Sequence, residues 1–570
     1  MNAERRSVAA RVILATVYGK SGRLAQAIGT LHEAMGIEPS SRVVLDRLAN
    51  LLRHVGRVQD AVEICKEAIY HHPADAAGYN NLGRCYLAMQ ELGLAADQFA
   101  KAVELEPDRA LFHHNLGEAL YLQGLNGEAL AAFQRAAAAD PAMQQAWLRV
   151  AKLLIHHGDR EGAIACCERA PDIAEAHVVW AEALQELGRR DEADEHLRKA
   201  SDLDPQGAVA HGYRLQVLGR FDEARVAFER ALVSNPRLTR AYQGLASGRR
   251  LGESDRPLIE QMRELVQDPR LPPGDRVVLH FALGKAFDDL GDFAAAMRHY
   301  HEANGTASQH LRLPFDAKHL ASVNDGRMRT YTREAIQEMA KQGSPSEVPL
   351  FVVGMIRSGT TLVEQALSSH PMIGAGGELR YWYENQTRPS SDIPAMAVEY
   401  LALLQQVGGK DKLRIVDKMP LNFSYLGLMH AVFPKAKFIH CRREPIDNCL
   451  SIYTTFFDNP PPFAHEPANI IAYYRQYARL MIHWRRVLPK ELCLEVRYEE
   501  MVADREGTVR RMLEFAGVPW DEAVLHHERN ERAVRTPSLW QVRQPIYTSS
   551  VERWKRYEPW LEGFRELIPK

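Results

Sequence analysis

Cysteine is scarce in this chain of 570 residues: there are seven, an odd number, with no CxxC pair among them. That argues against a disulfide framework and against a cysteine-type zinc site, and it fits reduced thiols in a cytoplasmic protein. An excess of either charge is also lacking, with 71 Lys and Arg against 73 Asp and Glu and a formal net charge of −2. Bulk electrostatic binding to nucleic acid or to an anionic membrane is therefore not expected. Long apolar runs are missing as well. The N-terminal run from Val12 to Tyr18 is too short to span a bilayer and reads as part of an amphipathic helix. No cluster shows metal-ligand spacing, so no metal is expected. The length allows several domains, each with its own core.

What is present first is a repeat. Pro39, Pro73, Pro107 and Pro141 follow one another at intervals of 34 residues, as do Gly22 and Gly56, then Gly124 and Gly158, with Gln90 in the intervening slot. One unit carries Tyr79, Leu82, Gly83, Tyr86, Ala95, Phe99, Ala102 and Pro107, and the next repeats the pattern from His113 to Pro141. A period of 34 with small residues at the helix crossing is the tetratricopeptide pattern: helical hairpins stacked into a solenoid. The period then shifts to 30, 34 and 31 at Pro171, Pro205 and Pro236, which implies trimmed helices. The expected organisation is a tetratricopeptide array over 1–251 and an irregular helical segment over 252–305 that ends in a last repeat-like unit. A helical connector over 306–346 and an α/β domain over 347–570 follow. Such an array serves either as a scaffold or dimerisation surface, or as a groove that captures a protein or peptide.

The most telling stretch is LFVVGMIRSGTTLVEQ at 350–365. An apolar strand running through a short loop into a helix is an anion-binding device, because free N–H groups and the helix dipole meet at the loop. The loop is P-loop-like but lacks the Walker lysine: Gly359 is followed by Thr360, and the cation comes earlier, as Arg357. Further strands are expected at 413–419, 437–443 and 492–500, separated by helices at 421–433, 445–457, 467–488 and 505–516. Alternation of this kind predicts a parallel sheet with ligands at the carboxyl ends of its strands. Candidate residues fall at those ends. Arg443 and Ser451 suit a second phosphate; the plainer alternative pairs the arginine with Glu444. Lys418 suits a transferring group; otherwise it pairs with Asp417 or Glu378. Glu378, in a flexible glycine loop, suits proton abstraction; otherwise it is bound to Arg380. Tyr498 is core filling or a handle on a nucleotide.

Together RSGTT, Glu378-x-Arg380, Lys418, Arg443 with Ser451 and Tyr498 resemble the PAPS-dependent sulfotransferases, where PAPS is 3′-phosphoadenosine 5′-phosphosulfate. The likeness is greatest to tyrosylprotein sulfotransferases and to bacterial proteins that join tetratricopeptide repeats to such a domain. The resemblance implies that Arg357, Ser358, Gly359, Thr360 and Thr361 hold the 5′-phosphosulfate and that Arg443 and Ser451 hold the 3′-phosphate. It implies Glu378 as base, Arg380 at the acceptor and Lys418 on the sulfuryl group. Tyr498, and with them Arg543 and Arg553 of the C-terminal segment, would lie on the nucleotide. The implied activity is sulfuryl transfer from PAPS to a hydroxyl of a protein tyrosine or peptide, with a sugar or small molecule as other acceptors. One departure stands out: Gly377 precedes Glu378 where tyrosylprotein sulfotransferases have a second glutamate. The competing expectations are a kinase or NTPase on a similar fold and a non-enzymatic repeat scaffold with a degenerate nucleotide domain.

Overall fold

The structure is a computed structural model and describes residues 2–310, 314–530, 532–534 and 536–568. Two compact units are present, Met1–His211 and Gly212–Lys570. The first is built of helical hairpins, such as Ala76–Ala88 with Leu92–Leu105 and Ala110–Leu122 with Asn126–Ala139. The helices of a hairpin touch because the contact residue is small. A Cβ on Gly83 would sit 2.7 Å from the ring of Phe99, which is itself fully buried. The shift of period at Pro171 has a visible cause: the preceding helix, Arg160–Cys167, has only 8 residues where its counterparts have 14. No described helix is long and apolar enough to cross a membrane.

The second unit opens with further helices and then a hairpin of α1 (Pro273–Leu290) and α2 (Phe293–His310). A five-stranded sheet follows, made of β1 (Pro349–Gly354), β2 (Ile373–Gly377), β3 (Arg414–Lys418), β4 (Lys437–Arg442) and β5 (Cys493–Arg497). The spatial order is β2-β3-β1-β4-β5 and every pairing is parallel. β1 is central and buried throughout, as its unbroken apolar run requires when both faces are covered. Phe351 and Val353 face one core together with Trp382, Tyr400 and Phe438. Leu350 and Val352 face the other, with Val363 and Leu367 of α3 (Thr360–Ser368) and Met512. The chain runs from β1 to β2 and β3 on one side, then crosses to β4 and β5 on the other. The crevice at the carboxyl end of β1, between β3 and β4, is therefore the topological switch point where such sheets bind ligands.

Two local expectations differ from the structure. GAGG at 374–377 is not a loop but most of β2, an edge strand whose register slips between Ala375 and Gly377. Glycine gives a strand no side chain to pack, so the apolar signal is missing there. The strand expected over 492–500 ends at Arg497, opposite Arg442, and Tyr498–Ala503 is a helix with Glu499 and Glu500 in its first turn. Acidic residues favour a helix N-terminus, and β4 offers no further partner.

The hairpin of α1 and α2 shares one core with the sheet: Phe281, Met297, Tyr300 and Ala303 lie in the same apolar cluster as Phe351 and Val353. Asn304, 1 % exposed, fastens it. Its Nδ2 donates to the carbonyl oxygens of Tyr453 (2.9 Å) and Tyr300 (2.8 Å), and its Oδ1 lies 2.7 Å from His465 Nδ1. Replacing Asn304 by alanine leaves buried polar groups unpaired. We expect Asn304→Ala to destabilise the second unit by about 1–3 kcal/mol, read from the shift of its denaturant midpoint. An unchanged midpoint would mean that the hairpin is not fastened to the sheet.

Candidate active site

The loop between β1 and α3 takes a tight path. Arg357 has φ +65°, a left-handed conformation that costs a non-glycine residue of order 1–3 kcal/mol. Gly359 follows at φ +97°, and a Cβ there would stand 2.7 Å from the Tyr498 ring. Only glycine meets both demands. Gly359 also caps α3 without any side-chain hydrogen bond, so the first-turn N–H groups are left for another acceptor. Ser358, Thr360 and Thr361 are buried beside it. Ser358 Oγ finds no hydrogen-bond partner among the described residues, and Thr361 Oγ1 lies 3.4 Å from Thr536 Oγ1.

Two guanidinium groups converge on this loop. Arg357 donates from Nε to Ser451 Oγ (3.3 Å), from Nη2 to Gln541 Oε1 (3.1 Å) and from Nη1 to Ser538 Oγ. Ser451 lies in α4 (Pro445–Tyr453), the helix that follows β4. Arg443, at the end of β4, donates from Nη2 to the Ser550 carbonyl (2.7 Å) and from Nη1 to the Arg357 carbonyl (3.3 Å). Its guanidinium lies 4.9 Å from the centroid of the Tyr498 ring, whose hydroxyl is 2.6 Å from Ser550 Oγ. The nearby Asp447 accepts from the Trp554 N–H. Neither Arg357 nor Arg443 forms an ion pair with a carboxylate among the described residues, and Arg443 Nε is buried without a partner. Burial, and then the field of Arg443, push Arg357 down to about 10. A cation loses proton affinity in this way when nothing negative is beside it, so the pocket favours an anion.

The third element is a chain of alternating charges. Lys418, at the end of β3 and 2 % exposed, donates to Glu378 Oε1 at 2.5 Å and lies 3.7 Å from Glu364 Oε2. Glu364 in turn accepts from Arg532 Nη1 at 2.8 Å. Asp417 takes no part: it accepts from the Tyr400 hydroxyl at 2.6 Å and from Asn422 at 3.3 Å. Burial drives Asp417 up to about 7 against the hydrogen bonds from the Tyr400 hydroxyl and the Leu379 N–H, with Glu364 adding to the rise.

The structure thus gathers Arg357, Ser358, Gly359, Thr360, Thr361, Arg443, Ser451 and Tyr498 around one loop, with Lys418 and Glu378 in contact at its β3 side. Ser451 touches Arg357 rather than Arg443. Three candidates have partners of their own, though the charge of Arg553 still reaches Arg357. Arg380 is exposed and lies 3.6 Å from Glu384. Arg543 donates to the carbonyl oxygens of Asn530 (3.2 Å), Arg532 (2.8 Å) and Val217 (3.0 Å). Arg553 holds Asp288 of α1 (3.1 Å) and Thr454 (3.0 Å). Sequence reading missed Glu364 and Arg532 as well as Ser538, Gln541 and Ser550. For Glu364 a signal existed: it is the one charge in the otherwise uncharged helix TTLVEQALS.

Residues 349–522 match the sulfotransferase family, and residues 47–110, 80–143, 120–180 and 174–206 match tetratricopeptide repeat families. The chain carries a sulfotransferase-family domain together with tetratricopeptide repeats. Among its relatives is a protein of Aquifex aeolicus described as uncharacterized, 29 % identical over 437 residues, which cover 70 % of this chain and 56 % of that one. Protein-tyrosine sulfotransferase A of Caenorhabditis elegans is 26 % identical over 204 residues (32 % of this chain, 52 % of the relative). Protein-tyrosine sulfotransferase of Drosophila melanogaster is 28 % identical over 262 residues (40 % and 46 %). The chain spans about half the length of these curated relatives. The anion loop, the two guanidiniums, Glu378, Lys418 and Glu364 lie within the residues matched to the sulfotransferase family, and Arg532 lies beyond them.

Asp417 gives this domain a pH signature. Its folded value, about 7, lies above the unfolded value of 3.8. The stability it contributes is therefore present below the unfolded value and is lost as pH rises through the folded one. We expect wild type to lose about 3 kcal/mol more stability than Asp417→Asn between pH 5 and pH 8, measured by denaturant unfolding of the second unit. Parallel pH profiles for the two proteins would contradict the raised value.

Proposed function

We propose that the sulfotransferase-family domain transfers a sulfuryl group from PAPS to a hydroxyl, with a tyrosine of a protein or peptide as the leading acceptor class. One observation carries the reading: two convergent guanidiniums on an anion loop whose hydrogen-bond partners are all neutral, with Asp447 near Arg443 but not ion-paired with it. A donor bearing a 5′-phosphosulfate and a separate 3′-phosphate supplies anionic groups for both. Arg357, the first-turn N–H groups of α3, Ser358, Thr360 and Thr361 suit the 5′ group; Arg443, Ser451 and the Tyr498 ring suit the 3′ side. The unpartnered Ser358 Oγ and Arg443 Nε are the donors such a substrate would satisfy. The tyrosine acceptor is supported by the similarity to protein-tyrosine sulfotransferases of Caenorhabditis elegans and Drosophila melanogaster.

In the reaction the acceptor oxygen forms a bond to sulfur while the bridging S–O bond breaks. The electron pair leaves with the nucleotide as 3′-phosphoadenosine 5′-phosphate (PAP), and the acceptor proton goes to Glu378. Transfer of this type needs positioning and charge stabilisation more than covalent chemistry. Lys418 and Arg357 stabilise charge growing on the bridging oxygen. At rest Lys418 is hydrogen-bonded to Glu378, so acid and base neutralise one another. A bound donor competes for the ammonium and frees the carboxylate to accept a proton. The repeats are read as the part that recruits an acceptor or partner protein.

A P-loop kinase would bind ATP with Mg²⁺, and a scaffold would bind neither nucleotide. Calorimetry should find PAP bound and ATP with Mg²⁺ bound far more weakly. Arg357→Ala and Arg443→Ala should each weaken PAP by roughly 10- to 100-fold, as expected for a charge-assisted contact. Glu378→Gln should keep the PAP affinity and lose on the order of 10²–10⁴ in transfer rate. Preference for ATP, or indifference to both nucleotides, would dismiss the reading.

A further inference from the structure

Glu364 carries a charge that the transfer reaction, as derived so far, leaves unused. It lies in α3 among Leu362, Val363, Ala366 and Leu367, with its side chain 5 % exposed. A carboxylate this buried persists only when cations and hydrogen bonds compensate it. Two cations do so from opposite sides. Arg532 Nη1 donates to Oε1 at 2.8 Å, and Lys418 Nζ lies 3.7 Å from Oε2. Lys418 has Glu378 as its nearer partner, at 2.5 Å. Glu378, Lys418, Glu364 and Arg532 therefore alternate in sign and sum to zero.

The order matters for the chemistry. Lys418 cannot serve the donor while it holds Glu378, so it has to release that carboxylate. The donor takes the place of Glu378, and through that exchange a buried ammonium keeps its position only if a second, fixed anion stays beside it. Glu364 is that anion. It stands on α3, the helix whose first turn forms the anion loop, so the lysine and the loop are held by one rigid element. Arg532 in turn fixes the far oxygen of Glu364, and the carboxylate cannot swing out to follow the lysine.

We propose that Glu364 is a positioning residue of the transfer site: held by Arg532, its carboxylate keeps the Lys418 ammonium beside the anion loop when Lys418 lets go of Glu378. This rests on the roles given above to Lys418 and Glu378.

The test uses the full chain with PAPS and water as acceptor, which yields PAP and sulfate and needs no knowledge of the natural acceptor. Glu364→Gln should lower kcat for PAP release by about 10- to 100-fold, while KM for PAPS and the calorimetric Kd for PAP stay within about twofold. In a Lys418→Ala background the same substitution should change kcat by less than about twofold, because the group being positioned is gone. Arg532→Gln, at the partly exposed end of the chain of charges, should give a smaller loss in kcat that Lys418→Ala also abolishes. It keeps the test open if Glu364→Gln does not fold. A wild-type kcat in Glu364→Gln, an equal proportional loss in both backgrounds, or a loss carried by KM and Kd would overturn the inference. If wild type binds PAP and releases it from PAPS, such a result sinks the inference alone. If wild type does neither, the reading beneath it goes too.

Discussion

Two guanidiniums held close together, neither ion-paired with a carboxylate among the described residues, are the constraint on which the site depends. Arg357 and Arg443 share a backbone contact, since one donates to the carbonyl of the other, and their remaining partners are hydroxyl, amide and carbonyl oxygens. Burial lowers the proton affinity of Arg357, and the like charge of Arg443 adds to the fall. The fold offsets this cost elsewhere. Arg357 is fixed in a left-handed turn by its place between β1 and α3, and Arg443 is stacked on Tyr498 at the end of β4.

The sheet explains why these groups meet. β1 lies between β3 and β4, and the residues at the three carboxyl ends are the anion loop, Lys418 and Arg443. The C-terminal segment supplies Ser538, Gln541 and Ser550 to the same two guanidiniums. Its own anchorage is arginine-based: Arg543 ties it to backbone carbonyls, and Arg553 ties it to Asp288 of the α1–α2 hairpin. The repeat-like hairpin is thus part of the framework that closes the site, and its residues share a core with the sheet.

Much of this was legible in the sequence where a local pattern carried it. The 34-residue spacing of Pro39 to Pro141 announced the hairpins, and apolar runs followed by charged ends announced β1, β3 and β4. Glycine hid β2, because a strand of IGAGG has no apolar face to display. Tyr498 looked like the end of a strand until the pairing of Arg442 with Arg497 showed where β5 runs out of partner. The choice among distant partners was invisible in principle. Nothing in the local pattern says that Lys418 chooses Glu378 and Glu364 over its neighbour Asp417, or that Asp417 turns to Tyr400. The chemistry of Arg543 and Arg553 was equally open: both are basic residues in a segment near the site, and both are engaged in holding the chain.

The most direct test is a crystal structure of the full chain with PAP bound. The account predicts that Arg443 meets the 3′-phosphate and Arg357 the 5′-phosphate, with the contacts to Ser538, Gln541 and the Ser550 carbonyl given up or shared. A nucleotide bound elsewhere, with both guanidiniums still on those neutral partners, would contradict it.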